Sequence, residues 1–334
     1  MGEGANLKTS MSRVTWIALA VSLALTFIKF WGWRLTGSQA VYSDAMESIV
    51  NVVAGLLAIF VVYYSAKPAD RGHPYGHGKI EYFSAAFEGG LITFAAVLIA
   101  AEALPALIEG RHPERLETGL AVVVGAGFVN LALGAWIYRT GRHVGSPALV
   151  ANGQHIMSDF WTSAGVAVGL VAALATGWSW LDPLTALAVA LQLGWTGLKV
   201  VRRSVGGLLD EEDAGIIRAV VGRLRVIDFE GVIQLHHLRI VRSGRYHHID
   251  AHAVVPEIWN VAEAHERTQK FEQNFMQAYP QPGELHLHID PCRRVYCRQC
   301  SWSPCSVRSH AFEAPIELNA EALIHPEEPD EYLP

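Results

Sequence analysis

Charged residues are scarce in this sequence, and the scarcity is uneven along the chain. Only 17% of the 334 residues are charged, whereas 51% are hydrophobic. A soluble domain usually has about a quarter charged residues. Charges are sparse before residue 205 and frequent after it. This distribution predicts a membrane part followed by a soluble part, and the formal net charge of −6 gives no indication of nucleic-acid binding.

Cysteine is scarce as well, and all four cysteines lie in one short segment, as Cys292, Cys297, Cys300 and Cys305. They are too confined to form a disulfide framework for a secreted fold. The spacing C-x4-C-x2-C-x4-C, with His310 nearby, predicts ligation of a soft metal by thiolates in a reducing cytosol. An iron–sulfur cluster and an unmetallated flexible tail are the alternatives.

Long apolar runs are abundant. Six segments are long enough to cross a bilayer, which takes about 20 mostly apolar residues: 14–35, 41–64, 83–107, 119–139, 149–175 and 181–201. The first run has no small-residue cleavage site, so we predict no cleavable signal peptide. Most flanking Lys and Arg residues lie on the side of the N-terminus, which predicts that both termini are cytoplasmic. Lys29, near the outer end of the first helix, is expected to extend towards the lipid headgroups.

The pattern changes after Asp210. Residues 211–225 read as an amphipathic helix, and GVIQLHHLRIV and YHHIDAHAVV alternate about the turn residues SGR, as in a β-hairpin. Residues 260–278 are again helical, and ELHLHID alternates as a third strand. This order, αββαβ, predicts a small ferredoxin-like α+β domain. The polar tail that follows is expected to be poorly ordered without a metal or a partner.

The fold class predicted is therefore a polytopic α-helical membrane protein with a soluble ferredoxin-like domain. Four parts are expected: a cytoplasmic N-terminal segment at 1–13, a six-helix transmembrane domain at 14–207, a cytoplasmic domain at 208–291 and a Cys-containing tail at 292–334.

Polar residues interrupt two of the apolar runs at matching intervals. His155 and Asp159 are one helical turn apart, as are Glu47 and Asn51. Such groups cost a few kcal/mol at membrane depth unless they face a polar partner or a water-filled cavity. Together the two pairs offer four ligands, enough for a divalent transition metal, with hydrogen bonding between helices as the alternative. Asp44, one turn earlier on the same face, is a candidate for the point at which an ion enters.

Metal and protons would compete for this set of side chains. Metal binding requires neutral histidine and ionised carboxylates, so loading a metal releases protons. Histidine titrates near physiological pH by default. A site of this composition therefore suits the exchange of metal for protons.

Two further groups of candidate ligands lie outside the apolar runs. In the loop DRGHPYGHGK, Asp70, His73 and His77 could close on one metal, although a solvated polar loop is the alternative. In the soluble part, alternation in ELHLHID places His286, His288 and Asp290 on one face of a strand. His252 belongs to a neighbouring strand of the proposed hairpin.

These features resemble the cation diffusion facilitator family over roughly residues 12–292. The resemblance is carried by the six helices with a cytoplasmic ferredoxin-like domain, and by GSQAVYSDA, HxxxD, PADRGHPYGHGKIE and IDPC. It implies a homodimeric secondary transporter, not an enzyme, in the lipid bilayer of a bacterial cytoplasmic (inner) membrane. Such transporters exchange cytoplasmic divalent metal cations for external protons by alternating access.

The resemblance also implies roles for particular residues. The transport site falls on Glu47, Asn51, His155 and Asp159. The loop site falls on Asp70, His73 and His77. The binuclear cytoplasmic site falls on His236, His252, His265, His288 and Asp290, and Cys292 of IDPC could also serve it. Lys79 and Asp210 match an ion pair at the membrane–cytosol boundary of the dimer.

One departure concerns the choice of metal. Zinc-type members usually have His or Asp where Glu47 stands and Asp where Asn51 stands. The neutral amide makes the loaded site less negative, and oxygen-rich sites suit harder cations. We expect Zn2+ first and Fe2+ second, with Co2+, Ni2+, Mn2+ and Cd2+ also compatible, as substrates and as structural or regulatory ligands.

A membrane-anchored metal sensor or store without transport is the alternative function. A membrane metallohydrolase is disfavoured because the sequence has no HExxH motif and no evident nucleophile beside His155 and Asp159.

Overall fold

Among the residues that the structure describes, six long helices make up the first part of the chain. Their bounds are α1 (Gly2–Thr36), α2 (Gln39–Ser65), α3 (Ile80–Glu109), α4 (Leu116–His143), α5 (Pro147–Thr176) and α6 (Leu181–Leu208). All six are long and apolar enough to cross a membrane. Each expected span lies within one of them, and the helices extend past the apolar runs into polar residues.

The structure is a computed structural model that describes residues 2–143, 147–225, 227, 231–316 and 318–325. The chain divides into two units. The membrane unit comprises Met1–Val62 and Phe83–Val205, and the soluble unit comprises Tyr63–Tyr82 and Gly206–Pro334. Residues 326–334, the end of the expected tail, lie outside the described residues.

The membrane unit is apolar on its exterior and packs small residues inside. Large side chains such as Phe27, Ile108 and Trp195 are exposed, as expected for surfaces that contact lipid. Between α4 and α5 the backbones approach closely at Gly134 and Gly153. A Cβ atom on Gly153 would lie 2.8 Å from the carbonyl oxygen of Gly134, so α5 can pack here only without a side chain.

The motif GSQA forms the start of α2. Gly37 has φ +63°, and the following residues turn into the helix. The carboxylate of Asp182, from α6, accepts hydrogen bonds from the Ser38 hydroxyl at 2.5 Å and from the backbone N–H of Gln39 at 2.7 Å and of Ala40 at 3.3 Å. Asp182 therefore satisfies the free N–H groups at the first turn of α2 and fixes where that helix begins.

The soluble unit has the predicted order αββαβ: α7 (Ala214–Leu224), β1 (Gln234–Ser243), β2 (Tyr246–Val255), α8 (Val261–Ala278) and β3 (Gly283–Pro291). The strand order is β1-β2-β3, with β1 and β2 antiparallel and β2 and β3 parallel. The hairpin turn lies at Gly244, whose φ is +63°. The αββαβ prediction is confirmed.

Alternation along β2 separates the two faces of the sheet. Ile249, Ala251 and Ala253 are buried in the core together with residues of α7 and α8, such as Val220 and Phe275. The intervening residues His252 and Val254 lie on the opposite face. That second face carries the polar and metal-ligating side chains described below.

The tail differs from the expectation of poor order. Residues 294–298 form a short 3₁₀-helix, and α9 (Ala320–Ile324) follows. Tyr296 is fully buried against Val254 on the second face of the sheet, and Leu323 is 1% exposed within the core on the first face. For the described residues of the tail the expectation was wrong, because its polar composition concealed a few large apolar anchors, whose burial offsets the ordering of the chain.

This packing predicts that Leu323→Ala destabilises the soluble unit. Removing a buried leucine side chain costs about 2–5 kcal/mol, since it loses apolar contacts and leaves a cavity. The free energy of opening of the β1 and β2 amides, measured by hydrogen exchange on the full chain, should fall by that amount. Val261→Ala, at a position 88% exposed, is the control and should change little. An equal effect of both substitutions would contradict the placement of α9.

Candidate metal sites

Helices α2 and α5 are joined through the predicted transport-site residues. The Asn51 side-chain N–H donates to Asp159 Oδ2 at 2.8 Å, and Asn51 Oδ1 lies 3.3 Å from His155 Nε2. One turn along, the Thr162 hydroxyl donates to Glu47 Oε1 at 3.2 Å. The structure thus brings the four predicted residues together at one α2–α5 contact. Asp159 is buried, Glu47 and Asn51 are half-buried and His155 is exposed.

Asp44 lies at the end of the same contact and is 1% exposed. Its Oδ1 accepts from the Ser163 hydroxyl at 2.6 Å, and its Oδ2 lies 2.9 Å from Lys29 Nζ. Lys29 also donates to the Ser48 hydroxyl at 2.9 Å. Lys29 is 2% exposed, so the expectation that it reaches the headgroups is wrong. A buried carboxylate supplies a nearer counter-charge than the interface does.

At the α2–α5 contact the candidate ligands meet in pairs and do not surround a single point. In the described part of the chain, two groups bring three His, Cys, Asp or Glu ligand atoms within 4.8 Å of one another, and both belong to the soluble unit. Glu47, His155 and Asp159 do not form such a group. Asn51 occupies the space between His155 and Asp159, where its amide satisfies both.

The first closed group is the loop triad Asp70, His73 and His77. Asp70 Oδ1 accepts the backbone N–H of His73 at 2.8 Å and lies 3.3 Å from His73 Nδ1, while Asp70 Oδ2 lies 3.4 Å from His77 Nε2. The hydrogen bond from the His73 backbone lowers the pKa of Asp70 below its usual value, which keeps the carboxylate charged and ready for a cation.

The fold of the loop positions its histidines. His77 is buried edge-on against Tyr64, with ring centroids 4.9 Å apart, and its Nδ1 has no hydrogen-bond partner among the described residues. Gly76 has φ +78°, and a Cβ on Gly78 would overlap the carbonyl oxygen of Ser243. The glycines therefore let the loop turn tightly and lie against the β1–β2 hairpin.

The second closed group is on the sheet: His236, His252 and Asp290. His236 pairs with His252 across β1 and β2, and His252 pairs with His288 across β2 and β3. Asp290 Oδ2 lies 2.9 Å from His252 Nδ1 and 3.7 Å from His236 Nε2. Burial lowers the pKa of His236, so this imidazole stays neutral, the form that binds metal, at lower pH than an exposed histidine.

His288 and His265, which were both predicted for this site, differ in how close they lie to the group. His288 is exposed beside the group, with its ring 4.6 Å from that of His252 and its Nε2 3.6 Å from Asp290 Oδ1. His265 is exposed on α8, and the close group does not include it. His237, at a β-bulge with φ +54°, lies with its ring 4.8 Å from that of His252.

Lys79 and Asp210 form the expected ion pair within one chain, with Lys79 Nζ 2.9 Å from Asp210 Oδ2. Both side chains are more than a third exposed, so the pair adds little stability by itself. Asp210 has φ +56°, two residues past the end of α6. The role of the ion pair is to fix the direction of the chain after the end of α6.

The cysteines are free, and Cys292, Cys297 and Cys300 are buried while Cys305 is half-buried. Cys292 extends the pairing of β3, because its backbone N–H donates to the carbonyl oxygen of Val255 at 2.8 Å. The four sulfurs are not among the groups with three ligand atoms within 4.8 Å.

Reasoning from the sequence missed three residues that shape the membrane site, Thr162, Ser163 and Asp182, and it placed Lys29 wrongly. Thr162 and Ser163 follow Asp159 by three and four residues, so helical spacing extended along HIMSDFWTS would have identified them. Asp182 carries no local signal, because its partners are more than 140 residues away.

Comparison with known proteins matches both units. Residues 15–209 match the cation efflux transmembrane domain, and residues 209–292 match the cytoplasmic domain of cation efflux proteins. An uncharacterized transporter of Synechocystis sp. (strain PCC 6803) is 34% identical over 277 residues, 82% of this chain and 88% of that protein. The cation-efflux pumps FieF of Salmonella arizonae and Klebsiella pneumoniae (strain 342) are each 28% identical, over 85% and 86% of this chain and 94% and 95% of their own lengths.

The match to the transmembrane domain alone spans more than half of the chain, and the relatives span most of it. The chain therefore belongs to the cation efflux family, as a multi-pass membrane protein in which the transmembrane domain precedes a cytoplasmic one.

Proposed function

We propose that the protein exports divalent transition-metal cations from the cytoplasm in exchange for protons. Zn2+ is the first expected substrate and Fe2+ the second. The observation that carries the proposal is the α2–α5 contact, where His155, Asp159, Glu47 and Asn51 meet inside the apolar helices. Four polar side chains at this depth are costly for an anchor, but they are what a permeating cation needs.

The contact supports exchange because a metal ion can replace the hydrogen bonds that join its side chains. Asn51 holds Asp159 at 2.8 Å and lies 3.3 Å from His155, so the ion-free site is satisfied internally. A metal that enters must displace the amide N–H from the carboxylate and remove protons from the ligands. Proton binding on the other side of the membrane then restores the ion-free arrangement, and this competition couples the two fluxes.

Alternating access is proposed to use the same contact as its moving part. Glu47–Thr162 and Asp44–Ser163 extend the link between α2 and α5 towards the start of α2. Hydrogen bonds between membrane helices are individually modest, about 0.6 kcal/mol on average, so they can be exchanged as helices shift. The buried Lys29–Asp44 pair is a stronger fixed point beside them.

We propose a homodimer in a bacterial cytoplasmic membrane, with both termini in the cytoplasm. The match of residues 209–292 to the cytoplasmic domain of cation efflux proteins supports a position of the soluble unit on the cytoplasmic side of the membrane. The loop triad and the sheet group would then bind cytoplasmic metal and act as regulatory or structural sites. We also propose that the transmembrane domain comprises residues 14–207 and the cytoplasmic domain residues 208–291, between an N-terminal segment that ends at residue 13 and the tail.

A membrane-anchored metal sensor or store is the second candidate, and one observation favours it. The two groups with three close ligand atoms are in the soluble unit, whereas the membrane residues meet in pairs. Tight metal binding without flux in sealed vesicles would support this candidate over the transporter.

We predict that Asp159→Ala abolishes metal flux in proteoliposomes driven by a proton gradient. The substitution removes a ligand and the carboxylate that Asn51 holds. Stopped-flow flux with a metal-sensitive dye inside the vesicles should fall to the rate of empty liposomes. Glu117→Ala, which removes an exposed carboxylate from the first turn of α4, is the control and should transport normally. Wild-type flux in the Asp159 variant would refute the assignment of the transport site.

Asn51→Asp is predicted to shift the metal preference towards Zn2+. The new carboxylate makes the loaded site more negative and cannot donate to Asp159, so the ion-free site becomes less favourable. Proton-coupled flux should be compared across Zn2+, Fe2+, Co2+, Ni2+, Mn2+ and Cd2+. Asn51→Ala separates the two effects: it should lower all the rates without changing their order. An unchanged order in Asn51→Asp would show that this position does not select the metal.

His252→Ala is predicted to abolish a metal-dependent tightening of the dimer. His252 is the central member of the sheet group, in contact with both Asp290 and His236. Distances between spin labels on the two soluble units should shorten when Zn2+ is added to wild type, but not to the variant. His286→Ala, two residues before His288 on β3, is the control and should respond like wild type. Equal distances with and without metal in wild type would contradict the prediction.

A further inference from the structure

We propose that Cys292, Cys297, Cys300 and Cys305 bind one structural zinc ion as four thiolates and fasten the C-terminal extension to the sheet. This inference is independent of transport. The match to the cytoplasmic domain ends at residue 292, so the three later cysteines belong to a segment that the family domain does not include.

The sheet brings the first cysteine to the second face. Alternation along β3 places His288, Asp290 and then Cys292 on one side, and the Cys292 backbone continues the pairing with β2. Val254, opposite Asp290 in the register, packs with Cys292 and Cys300. Cys292 and Cys300 therefore cover the end of the same face on which the histidine group lies.

Backbone N–H groups point at two of the sulfurs. The N–H of Glu257 donates to Cys292 Sγ at 3.5 Å, and the N–H of Ser309 donates to Cys297 Sγ at 3.3 Å. A neutral thiol is a weak acceptor, whereas a thiolate gains from such hydrogen bonds. Partners of this kind orient metal ligands and stabilise their charge. They come from two segments, one before α8 and one in the tail, which a shared ion would tie together.

The loop that carries the cysteines is ordered around an arginine. The Arg308 guanidinium donates to the carbonyl oxygens of Cys297 at 3.0 Å, Cys300 at 2.9 Å and Trp302 at 2.6 Å. Residues 299–316 have no helix or strand, and loops of this length without secondary structure are uncommon in compact domains unless they are functional. A bound metal would add to the apolar anchors in holding this segment.

The thiols are near one another but do not yet form a shell. Cys292 and Cys300 lie in one buried cluster with Tyr296, whereas no three of the four sulfurs lie within 4.8 Å of one another. Zn–S bonds of about 2.3 Å require sulfurs about 3.8 Å apart in a tetrahedron. Binding therefore requires the cysteine side chains to turn towards a common centre. Cys305, the half-buried ligand, is the member with the most room to do so.

The chain offers a clean test, because it has no cysteine other than these four. Any metal–thiolate signal must come from them, whatever binds at the histidine and carboxylate sites. Full-length protein, stripped of metal under a non-thiol reductant, should develop the ultraviolet charge-transfer band of Co2+–thiolate bonds. That band should saturate at one Co2+ per chain and disappear when Zn2+ is added.

Four variants and one direct measurement complete the test. Cys297→Ser combined with Cys300→Ser should lose the band, whereas Asp159→Ala and His252→Ala should keep it, and the double Cys variant should transport metal at the wild-type rate. X-ray absorption of the zinc-loaded wild type should include a shell of sulfurs at about 2.3 Å, reduced by one sulfur in Cys305→Ser. A wild-type protein without a thiolate band, a zinc shell of nitrogen and oxygen alone, or acid-labile sulfide indicating an iron–sulfur cluster would each overturn the proposal.

Discussion

The membrane unit depends on one constraint: a polar side chain inside a bilayer must find a partner within the protein. Helices α2 and α5 meet this constraint together, through Asn51 with Asp159 and His155, and through Thr162 with Glu47. In lipid these contacts replace water, so they decide which faces of the two helices meet. The close approach of α5 to α4 at Gly153 then holds the other side of α5 two residues before His155. The candidate ligands on α5 are thus held from two directions.

The buried Lys29–Asp44 pair follows from the same constraint and adds a charge to it. A carboxylate at 1% exposure would be strongly disfavoured beside Glu47 and Asp159 without a cation, and Lys29 supplies one at 2.9 Å. Breaking such a pair is costly because it leaves one charge buried alone. Lys29 therefore offsets negative charge near the start of α2, beside the residues that we propose exchange metal and protons.

Much of the fold could be predicted from the sequence because its signals are local. Apolar runs of bilayer length gave the six helices, and a change of period from helix to strand gave the αββαβ order. The spacing of Asp70, His73 and His77 predicted one cluster, and in the structure one ligand atom of each lies within 4.8 Å of the others. Contacts between distant segments could not be predicted in this way. The partner of Lys29 and the packing of Leu323 depend on tertiary contacts. The polar composition of the tail gave no indication that Leu323 would be buried.

The second face of the sheet extends this logic from hydrogen bonds to ligand chemistry. Alternation assigns it His252 and Val254 from β2, and His288, Asp290 and Cys292 from the end of β3. Imidazole and carboxylate side chains are therefore followed on this face by the thiol of Cys292. Thiolates prefer soft metals, while imidazole and carboxylate accept a wider range. The two proposed sites would then differ in purpose: the cysteines would hold a zinc ion as part of the fold, whereas the histidine site would bind metal in the cytoplasm.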